Sequence, residues 1–124
     1  MSYYRILVID PTKHFSVASK RFLEAQDAVE AVKVVAASAM LHVTNSFNPN
    51  ILLVDINNIY EETLLQQFCL INKGIIPDIF IIALTLYPEC NNDRTLNEKL
   101  SVNACVSRQN FAVEMLLLLE QGVT

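Results

Sequence analysis

Three short apolar runs are the strongest pattern in this sequence, and each ends on a polar residue that can carry chemistry. The runs are Ile6–Asp10, Ile51–Asp55 and Ile79–Thr85. Apolar residues without polar alternation are typical of parallel strands that are buried on both faces of a sheet. The carboxyl ends of such strands meet at one edge, where open α/β sheets place their sites. The pattern therefore predicts that Asp10, Asp55 and Thr85 lie together.

The segments between these runs predict helices, so that strands and helices alternate along the chain. The expected strands are 5–10, 31–36, 51–55, 79–85 and 104–107, and the expected helices are 13–25, 38–47, 61–73, 93–100 and 111–120. We expect Ser38 to cap the second helix, Gly74 to end the third and Asp93 to cap the fourth. Alternation repeated five times predicts a parallel sheet between two layers of helices.

Composition narrows the class of protein. The 124 residues are 52% apolar and 18% charged, with a formal net charge of -4 and no run of Lys or Arg. We expect one domain over 1–124 with a substantial core, no nucleic-acid surface and no membrane span. The start of the chain leads straight into a strand and leaves no room for a signal peptide. A cytoplasmic setting is therefore expected, and continuation beyond Thr124 stays open.

The cysteines do not indicate a metal site or a disulfide framework. Cys69, Cys90 and Cys105 are odd in number and widely spaced. We expect them to act as small apolar residues in the core.

Four pieces of the sequence form a recognisable series: Ile6–Asp10, Pro49–Asp55, Ala83–Thr85 and Ala104–Arg108. In their order and separations the chain resembles the receiver domains of two-component response regulators over essentially its full length. The resemblance implies an α/β, flavodoxin-like (CheY-like) three-layer sandwich, with a five-stranded parallel sheet in order 2-1-3-4-5 and five helices. It also implies that Asp55 accepts a phosphoryl group from a histidine kinase or a phosphotransfer protein. Thr85 would be the hydroxyl that follows this group when the domain switches.

The resemblance also implies a Mg²⁺ site built from Asp10, Asp55 and the backbone carbonyl of Asn57. The family carries two adjacent acids after its first strand, and here the second is Pro11. Proline offers no ligating side chain, whereas Mg²⁺ usually takes one or two carboxylates together with waters and phosphate oxygens. We therefore expect a weak or absent Mg²⁺ site. A lone acid at Asp10 is also consistent with a structural ion pair to Arg108.

Other positions depart from the family as well, so the chain resembles a degenerate member. The lysine after the fifth strand is Arg108, which is cationic but has a wider, planar head. The aromatic switch residue in that strand is Cys105. Ile59, Thr63 and Ser101 replace the usual proline and glycines near the acceptor loop and the fifth strand.

Three functions remain open from the sequence. The first is a receiver that takes up phosphate on Asp55 but catalyses nothing beyond its own phosphoryl uptake and loss, and so is not an enzyme. The second is a pseudo-receiver that acts by protein contact and is never phosphorylated. The third, a small-ligand-binding flavodoxin-like domain, is least favoured because Gly74 and Gly122 are the only glycines and form no phosphate loop.

The last predicted helix is unusually apolar at Met115–Leu119. A helix that packs on one side of a sheet needs one apolar stripe, so some of these leucines should stay exposed. We favour a homodimer or partner surface on this fifth helix. The alternative is a helix that is covered by the rest of a longer protein.

Overall fold

The computed structural model describes residues 3–11, 15–55, 62–85 and 102–122, and within them a single parallel sheet. Its strands are β1 (Tyr4–Ile9), β2 (Val29–Val35), β3 (Ile51–Asp55), β4 (Phe80–Thr85) and β5 (Ala104–Ser107). They pair in the order β2-β1-β3-β4-β5, and every pairing is parallel. The predicted fold class and strand order are confirmed.

Helices cover both faces of this sheet. They are α1 (Val17–Glu24), α2 (Met40–Phe47), α3 (Glu62–Ile75) and α4 (Phe111–Gln121), and a short 3-10 turn at Ala37–Ala39 precedes α2. Helix α4 is the fifth helix of the sequence prediction. The fourth predicted helix, 93–100, lies outside the described residues, so the count of five helices stays a prediction. Within the described ranges, no helix is long and apolar enough to cross a membrane.

The strands separate two apolar layers, because alternate side chains point to opposite faces of the sheet. One layer joins Leu7, Leu52 and Ile81 to α2 and α3. The other layer joins Ile6 and Leu53, among others, to α1 and α4. Strands β1, β3 and β4 are buried on both faces, which explains why their sequences are continuous apolar runs.

The starts of two helices differ from prediction. Phe15 and Ser16 are not helical, and α1 begins at Val17 because the Ser16 Oγ accepts the Ser19 N–H at 3.0 Å. The predicted start at residue 13 is therefore wrong. Ser38 does not cap α2 either, since it lies inside the 3-10 turn and α2 follows Ala39 without a side-chain cap.

The end of α3 also differs from prediction. Gly74 was expected to end the helix, but the helix continues through it to Ile75. Gly74 does not adopt a positive φ, so it does not form the left-handed cap that glycine usually provides. Pro77 lies two residues beyond the last helical residue and has no N–H to continue the pattern.

Candidate functional site

The fold brings four of the predicted site residues to the carboxyl edge of the sheet. Asp55 ends β3 and Thr85 ends β4, while Asp10 and Arg108 directly follow β1 and β5. The strand register places Asp55 opposite Leu84, one residue before Thr85. The fifth predicted site residue, Asn57, lies outside the described residues.

An ion pair between Arg108 and Asp55 is the centre of this edge. The Arg108 Nη2 donates to Asp55 Oδ1, and the backbone N–H of Arg108 donates to the carbonyl of Thr85 at 2.8 Å. Strand β4 lies between β3 and β5, so the side chain reaches over the end of one strand to meet the acid. Adjacent strands are about 4.8 Å apart, so β3 and β5 are separated by about twice that distance, and only a long side chain bridges the gap.

Burial makes this pair electrostatically important. The Asp55 side chain is 1% exposed and the Arg108 side chain is 22% exposed. A carboxylate so far from water is costly to keep charged unless a cation lies against it. The guanidinium of Arg108 is the cation that lies against it.

Asp10 supports the same edge through the backbone. Its side chain is buried, and its Oδ2 accepts the N–H of Phe15 at 2.9 Å. Its own N–H donates to the carbonyl of Val35 at 3.0 Å, at the end of β2. Asp10 therefore fixes the connection between β1 and α1. The ion pair that the structure describes for Arg108 is with Asp55, and a pairing of Asp10 with Arg108 stays a prediction.

The residues that the structure describes at this edge are a poor match to a divalent-cation site of the usual kind. Pro11 brings no ligating atom from its side chain, Asp55 Oδ1 is bonded to Arg108, and Asp10 Oδ2 accepts an N–H. Across the described ranges, no group of three or more His, Cys, Asp or Glu side chains is arranged to hold a metal. Mg²⁺ demands near-octahedral oxygen coordination and loses its waters reluctantly, so this donor set is poor.

A cavity of about 180 Å³ opens beside the ion pair, between the starts of α1 and α4. Its lining residues are Phe15, Ser16, Ser19, Asp55, Leu84, Arg108 and Phe111. The Phe15 and Phe111 rings meet edge to face, with centroids 5.8 Å apart. A water molecule takes up about 30 Å³ of liquid, so the space suffices for a group of phosphoryl size with several waters.

One anchor of the site was missed by sequence reasoning. The Glu114 carboxylate accepts the N–H of Ser107 at 2.7 Å and the Ser107 hydroxyl at 3.3 Å. The Ser107 Oγ in turn accepts the N–H of Asn110 at 3.2 Å. These bonds fix the turn that carries Arg108. The only sequence signal is an acid in the first turn of α4, which is common because it opposes the helix dipole.

The cysteines lie away from this chemistry. Cys69 and Cys105 are buried among apolar side chains, which confirms the expected packing role for these two. Burial raises the pKa of the Cys69 thiol to about 11, and the nearby Lys73 opposes this only in part. Cys69 is therefore a neutral thiol at ordinary pH. Cys90 lies outside the described residues.

The surface of α4 carries the exposed apolar residues that the sequence predicts. Met115 and Leu119 are buried against the sheet, whereas Leu117 is 51% exposed and Val113 is 63% exposed. The two exposed residues are four apart and lie on one face of the helix. Leu117 confirms that part of the run Met115–Leu119 stays exposed, whereas Val113 lies outside that run. A homodimer or partner surface on α4 stays a prediction.

Solved structures of similar shape include several receiver domains. The receiver domain of RcsB from Salmonella enterica serovar Typhimurium, with the phosphomimetic BeF3-, aligns with 98% of this chain and 91% of its own, at 18% identity and a TM-score of 0.65. The response regulator domain of Thermotoga maritima CheB aligns with 98% of this chain and 96% of its own, at 15% identity and a TM-score of 0.66.

A protein of another kind shares the architecture. A cobalamin-binding protein from Desulfitobacterium hafniense aligns with 93% of this chain and 58% of its own, at 12% identity and a TM-score of 0.64. No protein-family model and no curated protein matches the chain in sequence. At these identities the likeness establishes the fold, while function must be argued from the site. The chain has the fold of a response-regulator receiver domain.

Proposed function

We propose that this is a cytoplasmic signal-transduction receiver of the two-component or phosphorelay type, with Asp55 as its phosphoacceptor. The observation that carries the proposal is the pairing of a buried acid at the end of β3 with a cation after β5. The pair stands at the edge where a flavodoxin-like sheet places its ligands. A cavity that Asp55 and Arg108 help to line lies beside the pair, and a reacting group is proposed to approach from there.

The proposed reaction is a transfer of one phosphoryl group to the domain itself. A carboxylate oxygen of Asp55 forms a bond to phosphorus, and the bond from phosphorus to the donor breaks. The donor atom keeps the electron pair and takes up a proton, leaving an acyl phosphate on Asp55. The donor class is a phosphohistidine on a histidine kinase or phosphotransfer protein, or a small acyl phosphate.

Arg108 and Thr85 have distinct parts in this proposal. Negative charge grows on the phosphoryl oxygens during transfer, and a nearby cation would stabilise it. The Arg108 guanidinium, which contacts Asp55, is proposed to be that cation. Its planar fork can bond an oxygen of the carboxylate and an oxygen of the phosphoryl group. Thr85 is 1% exposed and accepts the Arg108 N–H through its carbonyl. In this proposal, its hydroxyl has the part of following the phosphorylated state.

The proposed test is phosphate uptake from a small acyl phosphate, read by intact mass with and without Mg²⁺. We expect the wild type to gain one phosphoryl group slowly and Asp55→Asn to gain none. Asp78→Asn is the matched control, because Asp78 is an exposed aspartate on the connection between α3 and β4. Its uptake should equal that of the wild type. Phosphate that persists in Asp55→Asn would contradict the assignment.

A second candidate function is a pseudo-receiver that binds a protein and never takes up phosphate. The observation that favours it is that Arg108 already satisfies one oxygen of Asp55, while Pro11 replaces an acid beside it. In that case, partner binding would not respond to acyl phosphate, and Asp55→Asn would bind the partner as well as the wild type. Such a result, with no mass gain in the wild type, would favour the second function over the first.

A further inference from the structure

A buried acceptor carboxylate needs a positive charge beside it, both at rest and when a phosphoryl group arrives. In many phosphoryl-transfer sites a divalent cation provides that charge. The described donor set here is unsuited to such an ion, since Pro11 has no ligating side-chain atom and Asp55 Oδ1 is bonded to Arg108. The charge must therefore come from another source.

Arg108 occupies the position that this charge requires. Its tip bonds Asp55 Oδ1, and its backbone N–H is fixed to the Thr85 carbonyl at 2.8 Å. The residue before it, Ser107, is buried and held by Glu114 through its N–H at 2.7 Å. The backbone of Arg108 is thus held by β4 and, through Ser107, by α4. The tip of its side chain lies against the acid.

A cation held in this way competes directly with a metal ion. For Mg²⁺ to bind Asp55 Oδ1, it would have to displace the guanidinium of Arg108, whose side chain is only 22% exposed. It would also have to give up part of its hydration shell, which it does reluctantly. The guanidinium of Arg108 is part of the chain, so a chelator cannot remove it as it would remove a metal ion.

We propose that Arg108 is the resident counter-ion of Asp55 and that this site works without a divalent cation. The inference rests on the proposed function, because it explains how the acceptor site handles charge. The domain would then respond to phosphoryl groups but not to Mg²⁺ concentration. Arg108 is at once the cation that neutralises the carboxylate and the donor that holds the phosphoryl oxygens.

The experiment compares the wild type with Pro11→Asp and Arg108→Ala. Calorimetric titration and thermal unfolding report Mg²⁺ binding without any need for activity, since a ligand that binds only the folded state raises its stability. We expect no binding heat and no shift in the wild type. Pro11→Asp should bind Mg²⁺ and gain stability from it, because it restores a carboxylate at the edge.

Phosphate uptake supplies the second reading. In the wild type, a chelator should change the uptake rate by less than about twofold, whereas in Arg108→Ala the uptake should become dependent on Mg²⁺. Arg108→Lys guards against a variant that fails to fold, because lysine keeps the charge while losing the planar fork. Its uptake should also stay insensitive to the chelator.

The two proposals fail in different ways. Absence of phosphate on the wild type, with and without Mg²⁺, overturns the proposed function, while absence of Mg²⁺ binding in calorimetry still supports the counter-ion role. Uptake on Asp55 that falls by about tenfold or more under a chelator supports the function and overturns the inference. Wild-type Mg²⁺ affinity equal to that of Pro11→Asp also overturns the inference.

Discussion

Two arginines lie at opposite ends of the same sheet, and they serve different purposes. At the amino end, Arg5 donates through Nε and Nη2 to the Phe47 carbonyl at 2.9 and 2.8 Å. It also pairs with Glu30 at 3.2 Å, and its guanidinium carbon lies 4.4 Å from the centroid of the Phe47 ring. Arg5 therefore binds the last turn of α2, where exposed carbonyls attract cations.

Arg108, at the carboxyl end, faces a buried acid instead. Exposed fractions separate the two pairs: the Arg5 and Glu30 side chains are 32% and 52% exposed, whereas Asp55 is 1% exposed. Water screens the first pair and makes its charge nearly dispensable. The second pair has little screening, so each partner depends on the other. The comparison shows why one arginine is an anchor of the fold and the other belongs to the site.

The largest effect is expected from breaking the buried pair. Arg108→Ala leaves the Asp55 carboxylate buried without this cation, and should lower the free energy of unfolding by about 3–5 kcal/mol. Denaturant unfolding measures it. Adding Asp55→Asn to Arg108→Ala removes the stranded charge and should recover part of the loss. A double variant that is no more stable than Arg108→Ala would mean that the charge on Asp55 is not the cause.

A smaller effect is expected at the amino end. Arg5→Ala loses two hydrogen bonds from a charged group to the Phe47 carbonyl, so the loss should be about 1.5–3 kcal/mol. Glu30→Ala removes only an exposed ion pair and should cost less than about 1 kcal/mol. Added salt should reduce the cost of Glu30→Ala. Equal costs for the two variants would contradict the view that the carbonyl is the main partner of Arg5.

Cys69 is a third buried ionisable group, and burial favours its neutral thiol form. Its pKa is raised from 9.0 to about 11 mainly by desolvation. The folded state then holds the proton more tightly than the unfolded state does. The stability from this group is present below about pH 9 and is lost as pH rises through about 11. Between these pH limits, the free energy of unfolding should fall less steeply with pH in Cys69→Ala than in the wild type.

The smallest effect on stability is expected at the surface of α4. Leu117 is 51% exposed, so Leu117→Lys should change the free energy of unfolding by less than about 0.5 kcal/mol. If the stripe is a contact surface, the same change should weaken self-association or partner binding, which sedimentation would detect. Leu70→Lys on α3, where the leucine is 71% exposed, is the matched control. Equal effects of both changes on association would contradict a specific role for α4.

The sheet could be predicted closely from the sequence, because its central strands are continuous apolar runs with clear ends. Strand β3 was placed to the residue, since Asn48–Pro49 precede it and Asp55 ends it. Helix starts were predicted less well because several serines can cap. Ser16 caps α1, whereas Ser38 lies inside the 3-10 turn that precedes α2 and does not cap it.

The gathering of site residues at one edge could also be predicted, but their contacts could not. Arg108 and Asp55 are separated by 53 positions in the chain, and their contact depends on the order of β3, β4 and β5. The sequence offered Asp10 as an equally reasonable partner. The Glu114 contact to Ser107 could not be predicted for a different reason. The two residues are seven positions apart, from a strand to a helix, and no repeating sequence pattern marks such a contact.

The central claim is that Asp55 is the acceptor, and chemical trapping of the product tests it most directly. Borohydride reduces an aspartyl phosphate to homoserine, which peptide mass mapping locates to one position after treatment with acyl phosphate. If Asp55 is the phosphoacceptor, homoserine is expected at position 55 and unmodified aspartate at positions 10 and 78. Homoserine at another position, or none anywhere in the treated protein, would contradict it.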